Sequence, residues 1–248
     1  MTHLRSVGED RSHWRMNLRT PLVALLIALT AAPLFAAEPN ALTAAEKSAG
    51  WKLLFDGKSL NGWRGYKTPE IGAPWKVQDG TITLTAAKAG DLMTAQEFGD
   101  FELSFEWKIA SGGNSGVIYR AGLGESASYR TGPEYQVLDN IAAKDNKEGN
   151  HLAGSLYDMG PEAPRDLPKP IGEWNHSRLI VRGWKVEHWL NGKQIVAVDL
   201  ASPAGKAMIA ESKFKDWPKF ASLSRGHIAL QDHGDVVSYR SIKIRDLK

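Results

Sequence analysis

Between Phe101 and Ile109 the chain alternates without a break. Phe101, Leu103, Phe105, Trp107 and Ile109 are apolar, and Glu102, Ser104, Glu106 and Lys108 between them are polar or charged. Successive side chains of an extended strand point to opposite faces, whereas a helix would scatter these residues around its axis. Nine residues of period two therefore specify a half-buried antiparallel strand, which needs partners beside it and a layer over its apolar face. Two hairpins supply some of the partners. Trp75 and Val77 alternate before Asp79-Gly80, and Ile82 and Leu84 follow; residues 186–190 and 193–198 flank Asn191-Gly192 in the same way. Such two-residue turns favour the type I′ form, which places both central residues at positive φ.

Further short strands are predicted at residues 116–120, 134–138, 155–157, 177–182, 227–231 and 237–244. Helical signals are few: residues 41–49, with Thr43 and Glu46 as a capping box, and an ambiguous stretch at 208–213. Residues 161–172, with four prolines, read as a surface loop rather than a linker. Many short strands separated by Gly, Pro, Asn and Asp predict an all-β fold, two stacked antiparallel sheets in a sandwich or jelly roll.

Composition narrows the chemistry. The 248 residues include no cysteine, which excludes disulfides, thiolate metal sites and a Cys nucleophile. Residues 22–32 form an apolar run too short to span a bilayer comfortably, preceded by Arg15 and Arg19 and followed by Pro33 and small residues. Residues 1–37 therefore read as a secretory signal peptide, with an N-terminal membrane anchor as the alternative, 38–49 as a lead-in and 50–248 as one domain. A periplasmic or secreted protein with no membrane association after cleavage is expected. Removing the leader leaves 27 basic against 26 acidic residues, a formal charge of +1, with no basic stripe interleaved with aromatics, so nucleic acid is not expected as a partner. A serine-hydrolase elbow, a metalloprotease helix, a phosphate-binding lysine loop and a dinucleotide glycine fingerprint are all missing, and no organic cofactor is expected.

Polar residues concentrate beside predicted strands. Glu134 and Gln136 share one face, with Tyr135 and Val137 on the other; a carboxylate beside a carboxamide suits sugar hydroxyls or a metal, and a solvated outer face is the alternative. Asp139 and Asn140 are explained equally by turn chemistry. Gln231 and His233 share a face just before Gly234. Glu187 and Trp189 flank His188, and an indole beside a carboxylate is a sugar-binding pair, although Trp is more often a core residue. Asn114 lies on a Gly-rich approach to Arg120, whose guanidinium could hold a carboxylate or polarised oxygen. His151, His176 and His227 carry no distinct signal.

Eight segments in this order resemble the 3-keto-disaccharide hydrolase-like domain family over residues 50–247. They are Trp51-Lys-Leu-Leu-Phe-Asp-Gly-Lys-Ser-Leu-Asn-Gly-Trp63, Trp75-x-Val-x-Asp-Gly80, Asn114-Ser-Gly116, Glu134-Tyr-Gln-Val-Leu-Asp139, Ala153-Gly-Ser-Leu-Tyr-Asp158, Gly172-Glu-Trp-Asn175, Val186-Glu-His-Trp-Leu-Asn-Gly192 and Gly226-His-Ile-Ala-Leu-Gln-Asp-His-Gly-Asp235. The resemblance implies a concanavalin-like β-sandwich acting on glycosides already oxidised at C3, and a functional link to a sugar 3-dehydrogenase. A ketone at C3 acidifies the C2 hydrogen, so a base can remove it, the C1 substituent can be expelled, and water can add back. On that chemistry Glu134 and His233 are candidates for base or metal ligand, with His188 third. Asn114, Arg120, Gln136, Tyr157, Glu187, Trp189 and Gln231 would bind substrate, and a divalent cation could serve as electrophile. A non-catalytic lectin-like module and a direct glycosidase on unoxidised glycosides remain as alternatives.

Overall fold

The computed structural model describes residues 38–247 and Met1; the segment read as a leader, residues 2–37, lies outside the described residues. In chain order the strands are β1 (Lys52–Leu53), β2 (Trp63–Gly65), β3 (Trp75–Gln78), β4 (Thr81–Leu84), β5 (Leu92–Thr94), β6 (Phe101–Ile109), β7 (Asn114–Ala121), β8 (Glu134–Leu138), β9 (Asn175–Arg182), β10 (Lys185–Leu190), β11 (Lys193–Asp199), β12 (His227–Leu230) and β13 (Val237–Asp246). Helix α1 (Ala44–Ser48) precedes them, and α2 (Pro203–Glu211) lies between β11 and β12. Antiparallel pairing builds an eight-stranded sheet, β11-β10-β9-β6-β13-β4-β3 with β1 on β13, and a five-stranded sheet, β2-β5-β12-β7-β8.

The nine-residue alternation is β6, at the middle of the larger sheet. Phe101, Leu103, Phe105 and Trp107 are fully buried and share one core with Val117, Tyr119, Tyr135 and Val137 of the smaller sheet. Its outer face is less exposed than alternation alone implies, because Arg178, Arg245 and His176 lie over Glu102 and Ser104. Both predicted hairpins form with left-handed central residues: φ is +49° and +70° at Asp79 and Gly80, and +48° and +83° at Asn191 and Gly192. The lead-in is tied to the larger sheet. Thr43 and Glu46 make both halves of the capping box on α1, Glu46 pairs with Lys243, and the Asn40 carboxamide accepts from Ser241 N and donates to Gly80 O, each at 2.8 Å.

Three local expectations are corrected. Residues 155–157 do not form a strand: Leu156 makes one bridge to Tyr135, because Gly154 turns at φ +86° and the Ser155 hydroxyl caps the carbonyls of Asn150 and Leu152. The ambiguous stretch at 208–213 is the end of α2, set by the Ser202 cap and Pro203 at its first turn, followed by a loop. The strand predicted at 227–231 ends at Leu230, although Gln231 N still donates to Gly116 O of β7 at 2.9 Å.

Candidate functional site

Because β7 and β8 turn Ser115, Val117, Tyr119, Tyr135 and Val137 toward the core, the period of two sends Asn114, Gly116, Glu134 and Gln136 to the outer face of the five-stranded sheet. Beside them β12 passes into a loop carrying Gln231, Asp232 and His233. Asp91 anchors this loop by accepting from Asp232 N at 3.0 Å, Gly90 N donates to Asp232 Oδ2 at 2.9 Å, and Asn114 N donates to Asp235 Oδ2 at 3.0 Å. The outer face and the loop form one wall of a cavity of about 810 Å³. Tyr129, Arg130, Tyr157, Lys213, Phe214 and Trp217 contribute to the rest of its lining.

Glu134 opens β8, the edge strand of the five-stranded sheet, and is only 6% exposed. Its carboxylate lies across the backbone of Gly116, where a Cβ would come 2.1 Å from Oε1, so the neighbouring strand must carry glycine for the carboxyl group to take this position. Gln231 Nε2 donates to Glu134 Oε2 at 3.4 Å. Burial pushes the carboxyl up to about 8, the Asp91 and Asp145 charges push the same way, and Lys213 and Gln231 oppose them. His233 is at the exposed rim, its Nε2 3.4 Å from Asn114 Nδ2.

The remaining polar groups of this wall lack partners. Among the described residues, the buried side-chain atoms with no hydrogen bond are Asn114 Oδ1, Arg130 Nε, Gln136 Oε1, Gln136 Nε2 and Gln231 Oε1. All four residues line the same cavity. Leaving a buried donor or acceptor unpaired costs about 1–3 kcal/mol each, and native proteins keep few. Gln136, with no exposed surface and neither amide atom paired, is the extreme case.

The structure thus brings Asn114, Glu134, Gln136, Tyr157, Gln231 and His233 together, and it places four other candidates elsewhere. His188 is fully buried between the sheets, with Nδ1 3.1 Å from Gly154 O and Nε2 3.3 Å from the Tyr119 hydroxyl; burial lowers it to about 4, so it is a neutral core imidazole. Arg120 takes φ +52° and donates to Gly99 O, Gly183 O and Asp100, so its guanidinium ties loops together and offers nothing to the cavity. Glu187 and Trp189 lie on the outer face of the larger sheet, where Trp189 Nε1 and Gln194 Nε2 both donate to Glu187 Oε2. Asp139 does turn work, accepting from Gly112 N at 2.7 Å and Ile141 N at 2.9 Å.

Lys213, Arg130, Trp217 and Asp91 line the cavity without having been singled out from sequence. They lie in connecting segments with no period; the only signal for Lys213, Arg130 and Trp217 is aromatic and basic residues crowded into 129–130 and 213–217, and Asp91 has none. As for a metal, no three His, Cys, Asp or Glu side chains among the described residues are grouped to hold an ion, although Glu134, Asp91, Asp232 and His233 all line the cavity.

Residues 50–245 match the 3-keto-α-glucoside-1,2-lyase-like domain. A 3-keto-disaccharide hydrolase of Bacteroides thetaiotaomicron is 36% identical over 243 residues, covering 86% of this chain and 83% of the relative. A solved structure from Parabacteroides distasonis, described as a candidate glycosyl hydrolase, is 32% identical with a TM-score of 0.78, covering 85% of this chain and all of that one. A second such structure from the same organism is 27% identical with a TM-score of 0.62, covering 79% and 99%.

Proposed function

This chain belongs to the 3-keto-α-glucoside-1,2-lyase-like domain family, and we propose that it cleaves 3-keto-glycosides by removing the C2 proton, expelling the C1 substituent and adding water. It is an enzyme of the hydrolase kind. The observation that carries the finer reading is the coincidence, in one cavity, of a buried carboxyl group and the partnerless amides around it.

Glu134 is the base. A carboxylate held at about 8 binds a proton strongly enough to take one from carbon beside a ketone, and burial sharpens its demand for that proton. As the proton leaves C2, negative charge develops on the C3 oxygen. Gln136 Nε2, a buried donor with no other partner, supplies the hydrogen bond that strengthens as this charge grows, and Asn114 and Gln231 hold the ring hydroxyls. His233, at the rim beside Asn114, closes the sugar end. Action in the periplasm or outside the cell, and supply of the oxidised substrate by a sugar 3-dehydrogenase, belong to the same proposal.

The test is to incubate residues 38–248 with matched oxidised and unoxidised disaccharides and weigh the products. Release of 3-keto sugar from the oxidised member alone supports the elimination route. Release from both would make the protein a direct glycosidase, and retention without turnover a sugar-binding module; either result overturns the proposal.

A further inference from the structure

Facing the sheet wall is a group whose seat is elaborately built. Lys213 Nζ lies 4.0 Å from the centre of the Tyr157 ring, and the His151 ring stacks on the same tyrosine at 4.5 Å. The Tyr157 hydroxyl donates to Asp145 Oδ2 at 2.8 Å. His151 then spans two carboxylates, with Nδ1 2.9 Å from Asp145 Oδ1 and Nε2 3.0 Å from Asp158 Oδ1. Asp158 closes the chain by accepting from the backbone N of Lys213 itself at 2.7 Å. Two loops, at 145–158 and 212–217, are thereby cross-tied so that an ammonium group on an exposed residue has a fixed aromatic face beneath it, inside the cavity that holds Glu134.

The elimination reading, on which this inference rests, leaves one proton unaccounted for. When the C1 substituent is a sugar, its oxygen leaves as an alkoxide unless a proton reaches it. Arg130, stacked 4.1 Å from the Trp217 ring centre, also lines the cavity, but a guanidinium does not give up a proton in proteins, whereas a lysine ammonium can.

We propose that Lys213 is the acid that protonates the departing glycosidic oxygen, and that His151, clamped between Asp145 and Asp158, is the positioning residue that holds it there. Glu134 takes the proton from C2, the C2–H electron pair becomes the C1–C2 double bond, and the C1–O pair departs with the oxygen, which receives its proton from Lys213 Nζ. In the return half the neutral amine removes a proton from the water whose oxygen bonds to C1, and Glu134 returns its proton to C2. Both groups end as they began, and the sum is hydrolysis.

The experiment varies the leaving group. Wild type, Lys213→Met, Lys213→Arg and His151→Phe are assayed on 3-keto-glucosides carrying 4-nitrophenol, methanol or glucose at C1. Nitrophenolate leaves without help, so Lys213→Met is expected to lose about 10²-fold or more in kcat on the methyl and glucosyl substrates and at least tenfold less than that on the nitrophenyl one. Lys213→Arg keeps the charge and should fail to restore the poor leaving groups, and His151→Phe, which keeps a ring on Tyr157, should show the same pattern more weakly. Equal losses of kcat on all three substrates, or full rescue by arginine, would overturn the role of Lys213 while leaving the elimination reading intact. A wild type inactive on every oxidised substrate would overturn that reading and this inference with it.

Discussion

The outer faces of the two sheets carry the same kinds of residue and do opposite things. On the larger sheet, Glu102 is held by Arg178 and by Arg245 Nε at 2.7 Å, Arg240 Nε donates to Glu106 at 2.8 Å, and Glu187 accepts from both Trp189 and Gln194. On the smaller sheet, a buried carboxyl lies among amides whose remaining atoms have no partner within the protein. Carboxylate, imidazole and amide occur on both, so residue type does not distinguish the two faces. Satisfaction within the protein does: on one face a ladder of mutual partners stabilises the fold, and on the other the cluster without protein partners is the proposed site.

The sharpest way to break this comparison is to remove one carboxylate from each face. Glu134→Gln should lose about 10²- to 10⁴-fold in kcat/KM on a 3-keto-disaccharide, while Glu187→Gln stays close to wild type. Comparable losses in the two variants would erase the distinction between the faces. Next in size is Gly116→Ala, whose methyl group occupies the position of the Glu134 carboxylate. It should lower activity by more than tenfold and stability by about 1–3 kcal/mol, measured by denaturant melts. An alanine variant with native activity would show that the carboxylate is not fixed where the structure puts it.

Stability then sharpens the contrast. Gln136→Met replaces an unpaired buried amide with an apolar chain of similar shape, so it should hold or gain stability, within about 1 kcal/mol, while losing turnover. Glu102→Gln should instead lose about 1–3 kcal/mol with turnover per folded molecule unchanged. The smallest effect is on pH. Glu134 must be ionised to act as base, so kcat/KM should rise with pH and level off above about 8. The folded protein keeps a proton on Glu134 between the ordinary value of 4.5 and about 8 where the unfolded chain has released it, so stability should fall with rising pH across that window. Glu134→Gln should lack that slope in thermal melts taken from pH 5 to 8; an unchanged slope would assign it to other groups.

Much of the frame was legible because it is written in local periods. The alternation of 101–109 and the two left-handed hairpin turns each follow from a few consecutive residues, and so does the pairing of Glu134 with Gln136 on one strand face. What failed was local pattern read as contact. His188 sits between two sugar-binding residue types in sequence, yet its neighbours along a strand point away from it, and alternation sends the imidazole inward. Arg120 was read as an extended strand residue, but its positive φ re-aims the side chain toward the loops around Gly99 and Gly183.

By itself, the sequence determined a cysteine-free all-β chain and, through eight ordered segments, its family. It also determined which face of each strand is polar, because side-chain direction in a strand is fixed by parity. Only the tertiary structure decided which polar face lines the cavity, for three reasons of distance and pairing. The loop after β12 had to be pinned to Asp91 to set Gln231 beside Glu134. The loops at 145–158 and 212–217 had to be tied together to set Lys213 over Tyr157. Whether a buried amide has a partner depends on residues about a hundred positions away, as Gln231 is from Glu134, and no periodicity within a strand records that.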